Sequence, residues 1–470
     1  MVESDSVVND VGHPTDAADL YDARVAIESL VVECFIKARH RRARRRHRHV
    51  LLTHTQISTV FRRTQGGHVK LFDDPLQDEF AQWPLGLLGS AGGAVGEVEA
   101  IAASMTAPDD ETYVQAWIDA AARHVDEAGA ARHAGRMRSA LGHELRAASF
   151  YEVGIHMLYG APVNPRLTAT FDRLTQAFER AMELRDPPGE PLSIPFEGHR
   201  MPGYFLRATD ASDSERRPVV ICTNGYDATM ADMYLAMAID TCGRGYHCVV
   251  FDGPGQGAML VRDGVSLIPD WERVVTPVVD AVLARDDVDP SKIVLQGWSL
   301  GGYLAARAST AEHRLAACVL DPPNGNLMDG VPQLARHLGL SQEAAAALPT
   351  ISDQDQTTLM TVIAANAGLR WKFVQRGFWV NGVADLRGYL ESCSTYTIEG
   401  RTGDIRCPTL ATSAQGDPIA AQAQRFLDRL SCPTTLIAFT SAEGAGDHCE
   451  LMNRWLANQR ILDWLDETLA

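Results

Sequence analysis

The chain lacks any apolar run that approaches the length of about 18 residues needed to cross a bilayer, although 46% of its 470 residues are hydrophobic. The first twenty residues are acidic and polar, without the apolar stretch of a secretory signal. We therefore expect a soluble, cytoplasmic protein with no membrane partner. The length and composition are those of a globular protein with room for two domains.

Metal and phosphate motifs are also missing. The nine cysteines show no Cys-x-x-Cys spacing, and no group of His, Cys and acids is spaced like metal ligands. The glycine-rich segment 253–257 lacks both the dinucleotide spacing and the lysine of a phosphate loop, so we interpret it as a tight turn under the cleft. The sequence predicts reduced cysteines in the core and neither a metal nor a cofactor.

Positive charge is scarce, since 43 Lys and Arg stand against 60 Asp and Glu, for a net charge of -17. Phosphate binding needs clustered positive charge, so nucleic acid is not an expected partner. The exception is the run 37–49, which has eight Lys or Arg and no acid. Such a run is most often a solvated arm, with contact to nucleic acid or anionic lipid as the alternative. We interpret residues 1–64 as a poorly ordered extension.

From residue 65 the pattern is first helical and then strand-like. Residues 65–188 predict a helical cap domain, with helices that begin near Pro108 and at Asn164-Pro165. Residues 189–470 predict an α/β domain, in which a hairpin over 192–206 precedes six short apolar runs: 218–223, 247–251, 292–296, 316–320, 408–412 and 434–439. Runs that are apolar on both faces and alternate with helices indicate a mostly parallel sheet flanked by helices.

One connection in this domain is longer than a simple crossover. It spans about 324–405 and contains helical pieces near 333–340, 342–348 and 359–367. We interpret it as a lid-like insertion that covers the cleft together with the helical cap.

A serine stands at a predicted strand-to-helix turn. The segment Gly297-Trp298-Ser299-Leu300-Gly301-Gly302 follows the apolar run 292–295 and precedes the helix-compatible stretch 303–308. A nucleophile elbow has this arrangement, because small residues on both sides let the chain bend tightly and push the hydroxyl out of the sheet. A chance turn with a solvated hydroxyl is the alternative. The strand, the helix and the downstream partners favour Ser299 as the nucleophile of an acyl-type reaction.

A serine hydroxyl needs a base within hydrogen-bond reach and a third group that orients the base. His448 follows the last strand-like run across the glycine-rich loop 444–446, where such folds present their histidine. His448 is therefore the predicted base.

Asp417 is the predicted acid, because it follows the run 409–412 at the carboxyl end of a strand. The alternative is an ordinary turn aspartate before proline. Asp447 adjoins the histidine too closely to orient it easily, so Asp321 and Asp329 are the fallback acids.

Acyl transfer also needs donors for the negative oxygen that forms on the carbonyl. These donors are normally the backbone N–H after the nucleophile and one from a loop after an earlier strand. Leu300 provides the first, and Tyr226 in the segment 224–227 is the predicted second. A simple Asn-Gly turn is the alternative at that segment.

Together, these motifs resemble one branch of the α/β-hydrolase superfamily, which contains 2,6-dihydroxypseudooxynicotine hydrolase and the fungal polyketide-shortening hydrolases of pigment synthesis. The likeness covers about 70–470 and rests on the elbow with four further segments: 194–198 with 202–204, 224–227, 251–257 and 446–449. The combination is more specific than the elbow alone.

The resemblance implies a two-domain, dimeric enzyme that cleaves a carbon–carbon bond in aromatic or polyketide-like ketones. By analogy, Ser299, Asp417 and His448 form the triad, and Tyr226 and Leu300 are the oxyanion donors. Some members of the branch use a glutamate soon after the elbow helix, whereas the nearest carboxylates here are Asp321 and Asp329. These two residues and Asp227 are the candidate substrate-binding residues.

The leading hypothesis is a cofactor-free serine hydrolase that cleaves a C–C or ester bond in a small molecule. Acyl transfer to an alcohol or amine, or a cyclase on the same triad, is a second reading, expected if the covered cleft excludes water. A third is a binding protein on a hydrolase scaffold, because a fold does not guarantee activity.

Overall fold

An eight-stranded sheet forms the centre of the computed structural model, which describes residues 70–212 and 215–470. The predicted extension 1–64, with its basic run 37–49, lies outside the described residues. The strands are β1 (Glu190–Phe196), β2 (His199–Leu206), β3 (Arg217–Thr223), β4 (His247–Phe251), β5 (Val288–Trp298), β6 (Ala317–Asp321), β7 (Thr409–Ala414) and β8 (Thr434–Phe439).

The strands lie in the order β1-β2-β4-β3-β5-β6-β7-β8. The pairs β1–β2 and β2–β4 are antiparallel, and the pairs from β4–β3 to β7–β8 are parallel. All residues of β4 and β6 are buried, as expected for strands that are covered on both faces. The predicted hairpin, the six predicted strands and the mostly parallel sheet are confirmed.

Five helices precede the sheet in the chain: α1 (Pro75–Gly86), α2 (Val95–Ser104), α3 (Asp110–His133), α4 (Met137–His156) and α5 (Pro165–Leu184). Both predicted helix starts are confirmed, and each has a side-chain cap. Asp109 accepts a hydrogen bond from Thr112 N–H at 2.7 Å, and Asn164 accepts one from Arg166 N–H at 2.9 Å. Pro165 occupies the first turn of α5, where a missing N–H costs nothing.

Further helices connect or cover the strands of the sheet. Between β3 and β6 they are α6 (Met230–Met233), α7 (Ile239–Gly243), α8 (Gly257–Val261), α9 (Glu272–Leu283) and α10 (Leu300–Ser309), and a π-helical turn over Tyr234–Ala238 joins α6 to α7. Two more helices come late in the chain: α17 (Ala423–Leu427) follows β7, and α18 (Arg454–Thr468) follows β8. Short 3-10 helices lie at Leu88–Ser90, Thr402–Asp404, Ala420–Gln422, Ser441–Glu443 and His448–Asn453.

The long connection between β6 and β7 is helical. It contains α11 (Val331–His337), α12 (Gln342–Ala346), α13 (Asp353–Ala365), α14 (Ala367–Leu369), a π-helix over Arg370–Phe378, α15 (Trp379–Asn381) and α16 (Leu386–Thr395). The three predicted helical pieces overlap α11, α12 and α13. Leu359 and Ile363 of α13 pack with Leu386 and Leu390 of α16 in a small hydrophobic cluster, separate from the main core.

The eight cysteines in the described part of the chain are free thiols, and seven of them are buried. Cys222 and Cys248, for example, lie on the neighbouring strands β3 and β4 and are fully buried. Within residues 70–212 and 215–470, no helix combines the length and apolar character needed to span a bilayer.

Candidate active site

Ser299 lies at a tight bend between β5 and α10. Its backbone has φ 59° and ψ -122°, a conformation that non-glycine residues rarely adopt. The neighbouring glycines make the bend possible, because a Cβ atom at Gly297 would overlap the carbonyl oxygen of Gly301, and one at Gly302 would overlap that of Pro322. Ser299 N–H donates a hydrogen bond of 2.6 Å to the Asp321 carbonyl, which ties the bend to the end of β6.

The structure brings the three predicted triad residues together. His448 Nε2 lies 2.8 Å from Ser299 Oγ, and His448 Nδ1 lies 2.7 Å from Asp417 Oδ2. In the tautomer that these distances allow, Nδ1–H donates to the carboxylate and Nε2 accepts from the hydroxyl. This is the arrangement needed for general-base activation of a serine.

Backbone packing holds the acid next to the histidine loop. Gly416 N–H donates to the Gly446 carbonyl at 2.7 Å, and a Cβ at Gly416 would lie only 2.5 Å from that oxygen. The turn after β7 and the loop before His448 are therefore in direct contact. Asp417 is buried, and its second oxygen accepts a hydrogen bond from Ile419 N–H at 2.9 Å.

The surroundings of His448 favour its charged form. Burial opposes that form, but the hydrogen bond and charge of Asp417, with smaller contributions from Asp321 and Glu79, raise the pKa of His448 above its ordinary value of 6.5. The side chain is nevertheless 43% exposed, so the ring is open to the adjoining cavity. A raised pKa makes the neutral imidazole a stronger base toward the serine proton.

The two predicted oxyanion donors lie beside the serine. Leu300 follows it directly at the start of α10, and Tyr226 follows Gly225, whose Cβ would lie 3.5 Å from Ser299 Oγ. Both residues line the same cavity. Neither backbone N–H donates a hydrogen bond to another group among residues 70–212 and 215–470.

The three candidate substrate-binding carboxylates differ in position. Asp227 lines the cavity, where Arg376 Nη1 donates to its Oδ2 at 2.8 Å. Asp321 is fully buried beneath the site and Asp329 lies in an exposed turn before α11, and neither residue lines the cavity. Asp321 instead forms an ion pair of 2.5 Å with Arg454.

A cavity of about 940 Å³ adjoins the triad. Sequence patterns alone did not point to much of its lining, which includes aromatic side chains from distant segments: Phe80 and Trp83 of α1, Trp298 before the serine, Tyr226, and Tyr389 of α16. In the sequence, Phe80 and Trp83 are spaced so that they lie on one face of a helix. This spacing indicates a buried face, but it does not indicate which other element that face contacts.

An aromatic cluster joins the first helices to the insertion. It consists of Phe80, His156, Tyr159 and Trp371. The rings of Phe80 and His156 are stacked with centroids 3.9 Å apart, and Trp371 Nε1 donates to the His156 carbonyl at 2.7 Å. Burial lowers the pKa of His156 to about 3, so the ring is neutral and packs as an aromatic residue.

The insertion also contacts the 224–229 loop, which contains Tyr226. Arg376 of the π-helix lies 4.4 Å from the centre of the Tyr226 ring, and Asn381 donates to its hydroxyl. From α4, Glu152 accepts a hydrogen bond of 3.0 Å from the Thr229 hydroxyl. Burial raises the pKa of Glu152 well above its usual range, which favours the neutral acid at this interface. Among the described residues, no group of His, Cys, Asp and Glu side chains is arranged to hold a metal ion.

Known proteins resemble the chain in both sequence and structure. A sequence profile of the alpha/beta hydrolase family matches residues 220–457. The hydrolase LUC6 from Fusarium sp is 30% identical over 404 residues, which cover 82% of this chain and 95% of the relative. The 20-hydroxy-prefusarin hydrolase FUS2 from Gibberella moniliformis is 28% identical over 418 residues, covering 82% and 94%.

Among solved structures, that of 2,6-dihydroxy-pseudo-oxynicotine hydrolase matches with a TM-score of 0.63 at 20% identity. The match covers 82% of this chain and 95% of the other. At this identity the likeness concerns the fold alone.

Proposed function

Because the chain belongs to the alpha/beta hydrolase family, we propose that it is a serine hydrolase with Ser299 as nucleophile, His448 as base and Asp417 as orienting acid. The observation that carries the proposal is the unbroken hydrogen-bonded chain of these three side chains, with distances of 2.8 and 2.7 Å. A hydroxyl held in this way can lose its proton to the imidazole at the moment of attack.

In the proposed reaction, Ser299 Oγ attacks a carbonyl carbon while its proton moves to His448 Nε2. The carbonyl oxygen becomes an anion that accepts hydrogen bonds from the N–H groups of Leu300 and Tyr226. Collapse of this intermediate breaks the bond to the leaving group, which takes the proton from the imidazole. Water then attacks the acyl-enzyme with the same base, and the acid product leaves with the serine restored.

The proposed substrate is an aromatic or polyketide-like small molecule. The cavity volume of about 940 Å³ suits a molecule of several rings, and its aromatic side chains offer flat apolar contacts. The relative FUS2 is named as a hydrolase of 20-hydroxy-prefusarin. The bond broken is an ester bond or a C–C bond next to a ketone. In the second case an enol or aromatic ring must stabilise the departing carbanion.

Hydrolysis is favoured over acyl transfer by the exposure of the base. The His448 side chain is 43% exposed to the cavity, so water can reach the position from which it attacks the acyl-enzyme. In this proposal, residues 65–188 and the insertion over about 324–405 act together as the cap of the site. The cap selects the substrate and leaves a path for water.

The test compares Ser299→Ala with a matched control, Ser309→Ala. Ser309 lies at the other end of α10 and is buried, where its hydroxyl contacts the Ala305 carbonyl at 2.8 Å and Cys318 Sγ at 3.3 Å. We expect the wild-type protein and the control to react with a fluorophosphonate probe and to hydrolyse p-nitrophenyl esters. Ser299→Ala should lose the labelling and about 10³-fold or more of the turnover. Equal labelling of all three proteins would rule out the assignment.

A further inference from the structure

The glycine-rich segment 253–257 has no role in the reaction as proposed above, yet it packs directly against the 224–229 loop. Its residue Gln256 is 2% exposed. The side chain of this glutamine points at the backbone of Asn224 and Gly225 rather than at the cavity.

The amide of Gln256 is held by three hydrogen bonds. Its Oε1 accepts from Gly253 N–H at 3.1 Å, and its Nε2 donates to the carbonyl oxygens of Asn224 and Gly225 at 3.0 and 3.1 Å. The two carbonyls can only accept and the N–H can only donate, so the orientation of the amide is fixed by its partners. Gln256 therefore fixes the direction of the Gly225 carbonyl.

That direction determines where the next N–H points. The peptide bond between Gly225 and Tyr226 is trans, and in a trans peptide the C=O and the following N–H point in opposite directions. With the Gly225 carbonyl turned toward Gln256, Tyr226 N–H points away from it. Ser299 lies against Gly225, since a Cβ there would be 3.0 Å from the serine Cβ.

We propose that Gln256 is a positioning residue for the oxyanion hole. Its hydrogen bond to the Gly225 carbonyl orients Tyr226 N–H toward the substrate carbonyl oxygen that becomes negative. The inference rests on the proposed function, since it needs an oxyanion at Ser299. It gives a chemical role to a segment that has the appearance of a simple turn.

A second residue anchors the loop independently of Gln256. Asp252 accepts hydrogen bonds from Met230 N–H at 2.8 Å and Ala258 N–H at 3.0 Å, and Asn224 Nδ2 lies 3.3 Å from its Oδ1. The loop therefore remains attached to the end of β4 when the glutamine is changed. A substitution at Gln256 releases the orientation of one peptide group and leaves the anchoring by Asp252 in place.

The experiment measures kcat and KM of Gln256→Leu and Gln256→Glu with a p-nitrophenyl ester. Loss of one oxyanion donor costs about 10²- to 10³-fold in kcat, so a donor that is present but misdirected should cost about 10- to 100-fold, with KM changed by less than about threefold. Affinity for an aryl boronic acid, which forms an anionic tetrahedral adduct with the serine, should fall in parallel.

Gln256→Glu gives a signature that a purely structural role would not produce. An ionised carboxylate repels the two carbonyls, whereas the protonated carboxyl can donate to one of them. The ratio of variant to wild-type kcat should therefore rise as the pH falls, and taking the ratio removes the titration of His448. This variant also serves as the test if Gln256→Leu fails to fold.

The matched control is Gln77→Leu. Gln77 is also 2% exposed, its amide donates to Asp110 at 2.9 Å, and it is not one of the residues that line the cavity. We expect wild-type kcat from it. Wild-type kcat in both Gln256 variants, or an equal loss in the control, would overturn the inference. A wild-type protein that neither hydrolyses the ester nor reacts with the fluorophosphonate would instead overturn the proposed function.

Discussion

Substituting Gly225 by alanine tests how closely the 224–229 loop approaches the nucleophile. A Cβ at this position would lie 2.9 Å from the Trp298 carbonyl oxygen and 3.0 Å from the Ser299 Cβ. Neither atom belongs to the end of a flexible side chain that could rotate away. Ordinary Cβ contacts begin at 3.4 Å, so full relief of the contact with the oxygen requires the loop and the elbow to separate by about 0.5 Å.

The expected cost follows from this displacement. Since a misplacement of about 1 Å can cost about 10²-fold in rate, a separation of half that size should lower kcat about 10-fold. The same overpacking should lower the free energy of unfolding by about 1 to 3 kcal/mol. Substrate binding away from the reacting carbonyl is unaffected, so KM should change little.

The assay is steady-state hydrolysis of a p-nitrophenyl ester, with urea unfolding measured on the same samples. Gly129→Ala is the matched control, because Gly129 lies in α3 with nothing within 4 Å of a Cβ, and alanine there should stabilise the helix by about 0.5 to 1 kcal/mol. Wild-type kcat in Gly225→Ala would refute the close approach of the loop to the serine, and with it the proposed oxyanion hole.

Three further predictions concern the triad and the buried ion pair beneath it. Because protonated His448 cannot accept the serine proton, kcat/KM should rise with pH through a pKa above 6.5, and a midpoint below that value would contradict the raised pKa. Asp417→Asn removes the charge that raises this pKa, so the midpoint should move to lower pH while kcat falls by about 10⁴-fold; unchanged kinetics would show that another group orients the imidazole. Arg454→Met leaves the buried carboxyl groups of Asp321 and Glu450 without their cation. It should cost about 3 to 5 kcal/mol in urea unfolding at neutral pH. Burial and the charge of Asp321 raise the pKa of Glu450, so the cost should shrink at lower pH, and a loss that grows with acidity would contradict this account.

The sheet was predictable because each central strand is apolar on both faces. The runs 247–251 and 434–439 coincide with β4 and β8, and the fold and the family resemblance predicted from the motifs are confirmed. The close contact of Ser299, Asp417 and His448 follows from the same logic. In a parallel sheet the loops after neighbouring strands meet at one edge, so residues far apart in sequence come together there.

The partner of Asp321 could not be predicted. The family resemblance suggested Asp321 as a substrate-binding residue, because it is one of the carboxylates nearest to the elbow helix. Its carboxylate instead pairs with Arg454, which lies 133 positions later in the chain. No local pattern indicates a partner at that separation. The Asp321 side chain is held in the core by this arginine and by the Thr412 hydroxyl, which donates to its Oδ1 at 2.9 Å.

The π-helix over 370–378 was missed for a related reason. Its hydrogen bonds span one residue more than those of an α-helix, which shifts the side chains after it without leaving a characteristic repeat in the sequence. Trp371 and Arg376 occupy their positions against α4 and the 224–229 loop because of this element. The predicted dimer and the role of the basic run 37–49 stay predictions.

The aromatic cluster of Phe80, His156, Tyr159 and Trp371 limits how this protein can be dissected. A fragment that begins at residue 189 retains the whole sheet and the triad, but it removes three of these four rings and leaves Trp371 facing water. Such a fragment would expose an apolar surface that favours aggregation. A chimera that exchanges helices α1 to α5 between relatives must therefore exchange the insertion between β6 and β7 as well.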